Sequence, residues 1–162
     1  LELARTSNYY DNTVFLVVSD HNSRVKGADL IPVERFHIPG VILGKSIEPR
    51  RVTGISSQID LLPTLLSLIG VDSEHPAIGY DLTRPEYRNG ANRAQMQFHD
   101  VQGWLEPGKI VVLQRSLPIQ TYLYEPGGQL RPDPNPDENL KQRALAHALW
   151  PTMAIKRREY RP

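Results

Sequence analysis

Asp20 and His21 stand side by side where the apolar run of residues 13–18 stops. A carboxylate is a hard oxygen donor and an imidazole a borderline nitrogen donor, so together they suit a divalent cation. In open α/β sheets, ligands gather at the carboxyl ends of the strands, which is where this pair falls. The competing reading is a polar turn after an ordinary strand. A second histidine, His37, precedes Ile38-Pro39 at the start of the next apolar run. It reads either as a group lining a site from the neighbouring strand or as a structural histidine. His99-Asp100 repeats the same two residue types in reverse order, while His75 and His147 have nothing convergent beside them in sequence. With no cysteine in the chain, disulfides, zinc–thiolate sites and cysteine nucleophiles are excluded.

Residues 13–18 form a continuous β-branched and aromatic run, the pattern of a strand buried on both faces. Residues 19–34 are polar and read as a loop over the strand end. Residues 36–43 are a second strand candidate, with Pro39 placed near its start or at an edge. Ser56 or Ser57 caps a helix with Ile59, Leu62, Leu65, Leu66 and Ile69 as its apolar stripe, Pro63 in an early turn and Gly70 as its stop. Asp60 on the first turn favours the positive end of the helix dipole and reads as structural. This alternation of strand and helix predicts an α/β fold with a mainly parallel sheet and flanking helices. Residues 71–92 read as loop with at most one helical turn.

Three short strands follow at residues 94–99, 109–115 and 119–125, predicting a small antiparallel subdomain. The Pro-rich stretch 131–137 reads as a stiff linker. Asp137 then caps a helix from Glu138 to about Arg157, with Leu140, Ala144, Leu145, Ala148 and Leu149 buried and Pro151 kinking or interrupting it. Trp104 and Trp150 read as packing residues. The chain thus divides into residues 1–92, carrying the Asp-His pair, and residues 93–162, the antiparallel strands and terminal helix.

At 162 residues the chain can bury a real core. Nineteen basic against 18 acidic residues give a net charge of +1, which offers no argument for a nucleic-acid partner. No apolar run approaches the ~20 residues that span a bilayer. The chain opens Leu-Glu-Leu-Ala-Arg with neither an initiator Met nor a basic-then-apolar leader, and reads as a piece of something longer.

Three blocks in order carry a likeness: residues 13–21 ending in Asp20-His21, Phe36-His37-Ile38-Pro39-Gly40-Val41-Ile42, and Ser57-Gln58-Ile59-Asp60-Leu61-Leu62-Pro63-Thr64-Leu65-Leu66. They resemble the alkaline phosphatase-like sulfatase superfamily, and within it the lipoteichoic acid synthase-like phosphoglycerol transferases. The resemblance is strongest over residues 1–83. It implies the C-terminal part of a catalytic domain that uses one divalent metal, manganese in many transferases, with calcium or magnesium as alternatives. Asp20 and His21 match the family's late pair of metal ligands. Asn22 stands where many relatives have Gly. The nucleophile and an early acidic ligand are then expected upstream, so the partner implied is the upstream half of the same polypeptide, and the isolated piece is expected to be inactive.

The resemblance implies a lipid- or glycan-linked phosphate ester as substrate, and an extracytoplasmic catalytic domain, periplasmic or at the cell surface, of a membrane-anchored parent. Arg24 and Lys26 follow the pair closely and suit the ester's anionic oxygens, with solvated loop charges as the alternative. Two other functions fit the same residues. One is a sulfate ester hydrolase of the same fold, and the other is a non-catalytic α+β binding module.

Overall fold

A computed structural model describes residues 1–20, 30–127 and 129–159. A short helix, α1 (Glu2–Arg5), and a 3-10 turn at Tyr10–Asn12 lead into strand β1 (Phe15–Val18). β2 (Gly40–Leu43) pairs with it, and Pro39 lies just before that strand, where its missing amide proton costs no ladder bond. The pairing is antiparallel, with Phe15 opposite Leu43 and Val18 opposite Gly40, so the parallel arrangement expected for these two strands is corrected. Parallel neighbours need a crossover, usually a helix, that packs back over the sheet. Among the described residues, the connection between β1 and β2 holds only a 3-10 turn at Val33–Phe36, and the chain re-enters beside the end it left. Nor is β1 buried on both faces: Val17 and its cross-strand partner Val41 are both exposed.

Helix α2 (Leu61–Leu68) begins through a 3-10 turn at Gln58–Asp60. Its start is a reciprocal capping box. The Asp60 carboxylate accepts from the Ser57 amide, and the Ser57 side chain accepts from the turn in return. Gly70, at φ +72°, closes the helix as expected. The apolar stripe, however, is not covered as expected. Pro63 and Thr64 are buried, whereas Leu62 and Ile69 face outward. One 3-10 turn at Pro85–Tyr87 interrupts the long loop that follows.

The second sheet has five antiparallel strands in sequence order: β3 (Ala94–Phe98), β4 (Val101–Glu106), β5 (Lys109–Gln114), β6 (Gln120–Leu123) and β7 (Arg131–Pro132). The meander is therefore larger than the three strands expected. β4 escapes the pattern because Gly103 interrupts it, and the start of the Pro-rich stretch adds β7 by pairing with β6. Gly103 is a packing requirement: a Cβ there would lie 2.5 Å from Ile31 Cδ1. Ile31 and Val33 thereby join Met96, Val101, Leu105, Ile110 and Val112 in one core. Residues close to the candidate pair in sequence are thus anchored on the second sheet.

Helix α3 (Glu138–Arg157) is capped by Asp137, which accepts from the Asn139 amide at 2.9 Å. Leu140 and Ala144 pack with Trp104 and Val111 on the other face of the five-stranded sheet. The helix runs through Pro151, which lies on its exposed side, without ending there. Leu145 and Leu149, expected in the buried stripe, are exposed, and Ala154 is buried instead.

Candidate functional site

The antiparallel pairing decides which candidates can meet. The Ser19 amide donates to the Pro39 carbonyl at 3.3 Å, so the ribbon's register continues one step beyond Val18–Gly40. Asp20 follows immediately, exposed, at the carboxyl end of β1. His37, also exposed, lies two residues before Pro39 and so enters β2 at that same end of the ribbon. Parallel strands would have put the start of β2 at the opposite end from Asp20. His21, Arg24 and Lys26 lie outside the described residues.

Gln58 supports the strand end from a third element. Its side-chain amide donates to the Ser19 carbonyl at 3.3 Å. The backbone leading into Asp20 is therefore held at the Ser19 N–H by Pro39 and at the Ser19 C=O by Gln58. Gln58 itself sits inside the capping box, whose other members are fixed by a buried ion pair. The Arg93 guanidinium meets both Asp60 oxygens, at 2.5 and 3.0 Å, and the two side chains are almost completely buried. Asp60 also accepts from the Tyr80 amide at 2.8 Å, and the Ser57 hydroxyl accepts from the Gln95 amide at 3.2 Å. Asp60 is thus structural as expected, although its main partner is Arg93 rather than the helix dipole.

Neither Gln58 nor Arg93 was among the sequence candidates. The Ser57-x-x-Asp60 spacing marks the cap and so points to the neighbourhood of Gln58. Nothing in the sequence links Arg93 to Asp60, 33 positions earlier.

A further clamp holds the segment before His37. The Glu34 carboxylate accepts from the Tyr124 hydroxyl and, at 2.7 Å, from the Gly127 amide. The Tyr124 hydrogen bond chiefly holds Glu34 below the usual carboxylate range, helped by the Gly127 amide and opposed by burial, with a lesser contribution from nearby His37. Burial, then the same contact, pushes the Tyr124 phenol up.

The remaining histidines separate cleanly. His99 and Asp100 form the two-residue turn between β3 and β4, where the positive φ of His99 (54°) suits a tight hairpin. His147, which had no neighbour in sequence, lies 4.1 Å from Trp104 ring to ring. Burial, then the nearby Arg93 charge, pulls it below the ordinary histidine value, opposed by Asp60 and Glu106. Trp104 and Trp150 are packing residues: Trp104 is buried, and Trp150 donates its indole N–H to the Pro76 carbonyl.

Among the described residues, no group of three His, Cys, Asp or Glu side chains could hold a metal ion. Asp20 suits a ligand's role in chemistry and placement, being a hard carboxylate on a backbone held from two sides. It does not complete a coordination shell with its described neighbours.

Residues 1–71 match the Sulfatase family. The whole fold matches the crystal structure of a protein in the alkaline phosphatase superfamily from Vibrio parahaemolyticus, with a TM-score of 0.88 and 42% identity over 99% of this chain. The chain belongs to the alkaline phosphatase superfamily. This alkaline phosphatase-like chain spans 39% of the length of that solved relative. Its sulfatase-matching segment contains β1, β2, α2 and both exposed candidates, Asp20 and His37. No helix among the described residues is long and apolar enough to cross a membrane.

Proposed function

We propose that this alkaline phosphatase-like chain is part of a metal-dependent phosphoryl transferase or hydrolase of the phosphoglycerol transferase kind, acting on phosphate esters of lipids or glycans. In this reading Asp20 and His21 are metal ligands, and the nucleophile and further ligands come from upstream in the polypeptide. The observation that carries it is the placement of Asp20 and His37 at the same end of the β1–β2 ribbon, inside the segment that matches the Sulfatase family.

A bound divalent cation, manganese in the first instance, would polarise an ester oxygen and favour the ionised nucleophile. Asp20 would supply the negative charge that holds such a cation, and neutral His21 a nitrogen donor. His37 would donate an imidazole N–H to an anionic ester oxygen. Arg24 and Lys26 would add positive charge toward the same oxygens. The parent is proposed to work outside the cytoplasm as a membrane-anchored enzyme, the setting in which lipid- and glycan-linked esters are met.

The test is made in the full-length polypeptide. Asp20→Asn and His21→Ala should each cut turnover of a chromogenic phosphodiester at least ~100-fold and lower bound metal, with the circular dichroism spectrum unchanged. Wild-type turnover and metal content in Asp20→Asn would overturn the assignment. The match to the Sulfatase family favours a second reading, sulfate ester hydrolysis at the same site. Faster turnover of an aryl sulfate than of the phosphodiester would select it.

A further inference from the structure

Helix α3 turns an ordered outer face to solvent. Leu140 and Ala144 pack on the five-stranded sheet, whereas Glu138, Gln142, Leu145, Leu149, Thr152 and Lys156 are all exposed. Those six residues follow one another at intervals of four, three, four, three and four. That is the spacing of the two apolar positions of a heptad, so on a helix they form one stripe. Leu145 and Leu149, 40% and 48% exposed, make its centre, and its polar residues lie toward the two ends.

The stripe is also its own complement. Glu138 and Lys156, Gln142 and Thr152, and Leu145 and Leu149 are each placed symmetrically about position 147. Two copies of α3 laid antiparallel across a two-fold axis at that level set each residue of such a pair against its counterpart on the other copy. Leucine then meets leucine, an amide meets a hydroxyl, and a carboxylate meets an ammonium, each contact occurring twice. His147 itself lies against Trp104, which belongs to the cluster that packs α3 on the sheet, so its ring does not stand on the axis. Within one copy Glu138 pairs with Lys141 at 2.7 Å, yet its side chain stays 72% exposed and open to a second cation.

We infer that the outer stripe of α3 is a dimer interface whose partner is a second copy of this chain, packed antiparallel. An isologous contact needs one patch that recognises itself, and the charges along this stripe meet that requirement. A helix lying on an anionic lipid surface instead carries Lys and Arg over its polar face. Here the stripe starts on Glu138, and Lys156, Arg157 and Arg158 gather at the far end of the helix. One stripe of ~30 Å falls at the low end of the ~1,200–2,000 Å² that stable interfaces bury, so the dimer is weak and forms at micromolar protein.

The inference goes beyond the proposed function and stands without it. Its test is made in the full-length polypeptide and needs no activity. Isotopically light and heavy protein are mixed at roughly 100 µM and treated with a carbodiimide, which joins a carboxylate to an amine in direct contact. Mass spectrometry should find Glu138 and Lys156 joined in a peptide pair of one light and one heavy member. Within one copy these residues are about 27 Å apart along the helix, too far for the link. Glu138→Lys and Lys156→Glu should each weaken self-association at least ~5-fold in sedimentation equilibrium, because like charges then face each other at both ends. An equal mixture of the two variants should recover it, since opposite charges face again in the mixed dimer. A monomer at that concentration, absence of the mixed-isotope link, or a mixture that associates no better than either variant overturns the inference. Release from phosphatidylcholine–phosphatidylglycerol vesicles in Leu149→Asp, with self-association unchanged, overturns it as well and assigns the face to an anionic lipid surface.

Discussion

Replacing Arg93 by Met removes the charge that faces Asp60 while keeping an unbranched apolar stem of similar reach. Asp60 is fully buried and would retain only the Ser57 and Tyr80 amides, each at 2.8 Å. Breaking a buried ion pair from one side costs about 3–5 kcal/mol, because the remaining charge is left uncompensated. Arg93 also lies 4.3 Å over the Tyr80 ring, which adds about 0.5–2 kcal/mol at a desolvated site. In a domain of this size each kcal/mol moves Tm by roughly 2–4 °C, so the ion pair alone predicts a fall of roughly 6–20 °C. Thermal unfolding followed by circular dichroism measures it. A double-mutant cycle with Asp60→Asn should show coupling above ~1 kcal/mol, the double variant losing less than the two single losses together. A Tm within ~2 °C of wild type, or additive losses, would refute the argument that this pair anchors the capping box.

Two further outcomes follow from burial and space. Burial chiefly lowers the His147 pKa in the folded chain, so the unfolded chain binds its proton first as pH falls. Its contribution to stability is therefore complete above ~6.5 and is lost as pH drops below that value; urea midpoints compared between pH 7.5 and 5.5 should fall less in His147→Phe than in wild type. Gly79→Ala puts a Cβ 1.9 Å from the Ile59 carbonyl oxygen, whereas Gly103→Ala meets the movable end of Ile31 at 2.5 Å. Gly79→Ala should accordingly lose well over the ~1–3 kcal/mol of ordinary overpacking and Gly103→Ala should stay within it, read as denaturation midpoints; the reverse order would show that the loop carrying Gly79 yields easily.

Local signals in the sequence were reliable where the energy is local. The Asp137 cap, a serine cap at Ser56 or Ser57, the Gly70 stop and the placement of Pro39 all depend on neighbours within a few residues. Strand existence was legible as well, except for β7, read as linker, and for β4, where Gly103 breaks the alternation to admit a side chain from 72 positions earlier. Strand direction was not legible, because an apolar run looks the same whichever way its partner runs. Burial failed for α2 and for Leu145 and Leu149 on α3, since a periodic stripe shows that a face is apolar and not what covers it. At the candidate site, Asp20 and His37 could be nominated from residue type, but their arrival at one end of the ribbon depends on the antiparallel turn-back. Gln58 and Arg93 act through contacts distant in sequence and leave no local trace of their partners.

The Glu34 clamp also carries a timetable. Its donors, Tyr124 and Gly127, are 90 and 93 residues further along the chain. A ribosome adding 5–20 residues per second needs roughly 5–18 s to make that stretch. Throughout that interval the nascent segment leading to His37 has its carboxylate anchor but no donor to receive it. Ile31 likewise waits for the notch at Gly103. The entrance to the candidate site is thus synthesised well before the groups that fasten it, and a truncation before residue 124 leaves a chain whose segment before His37 lacks its latch.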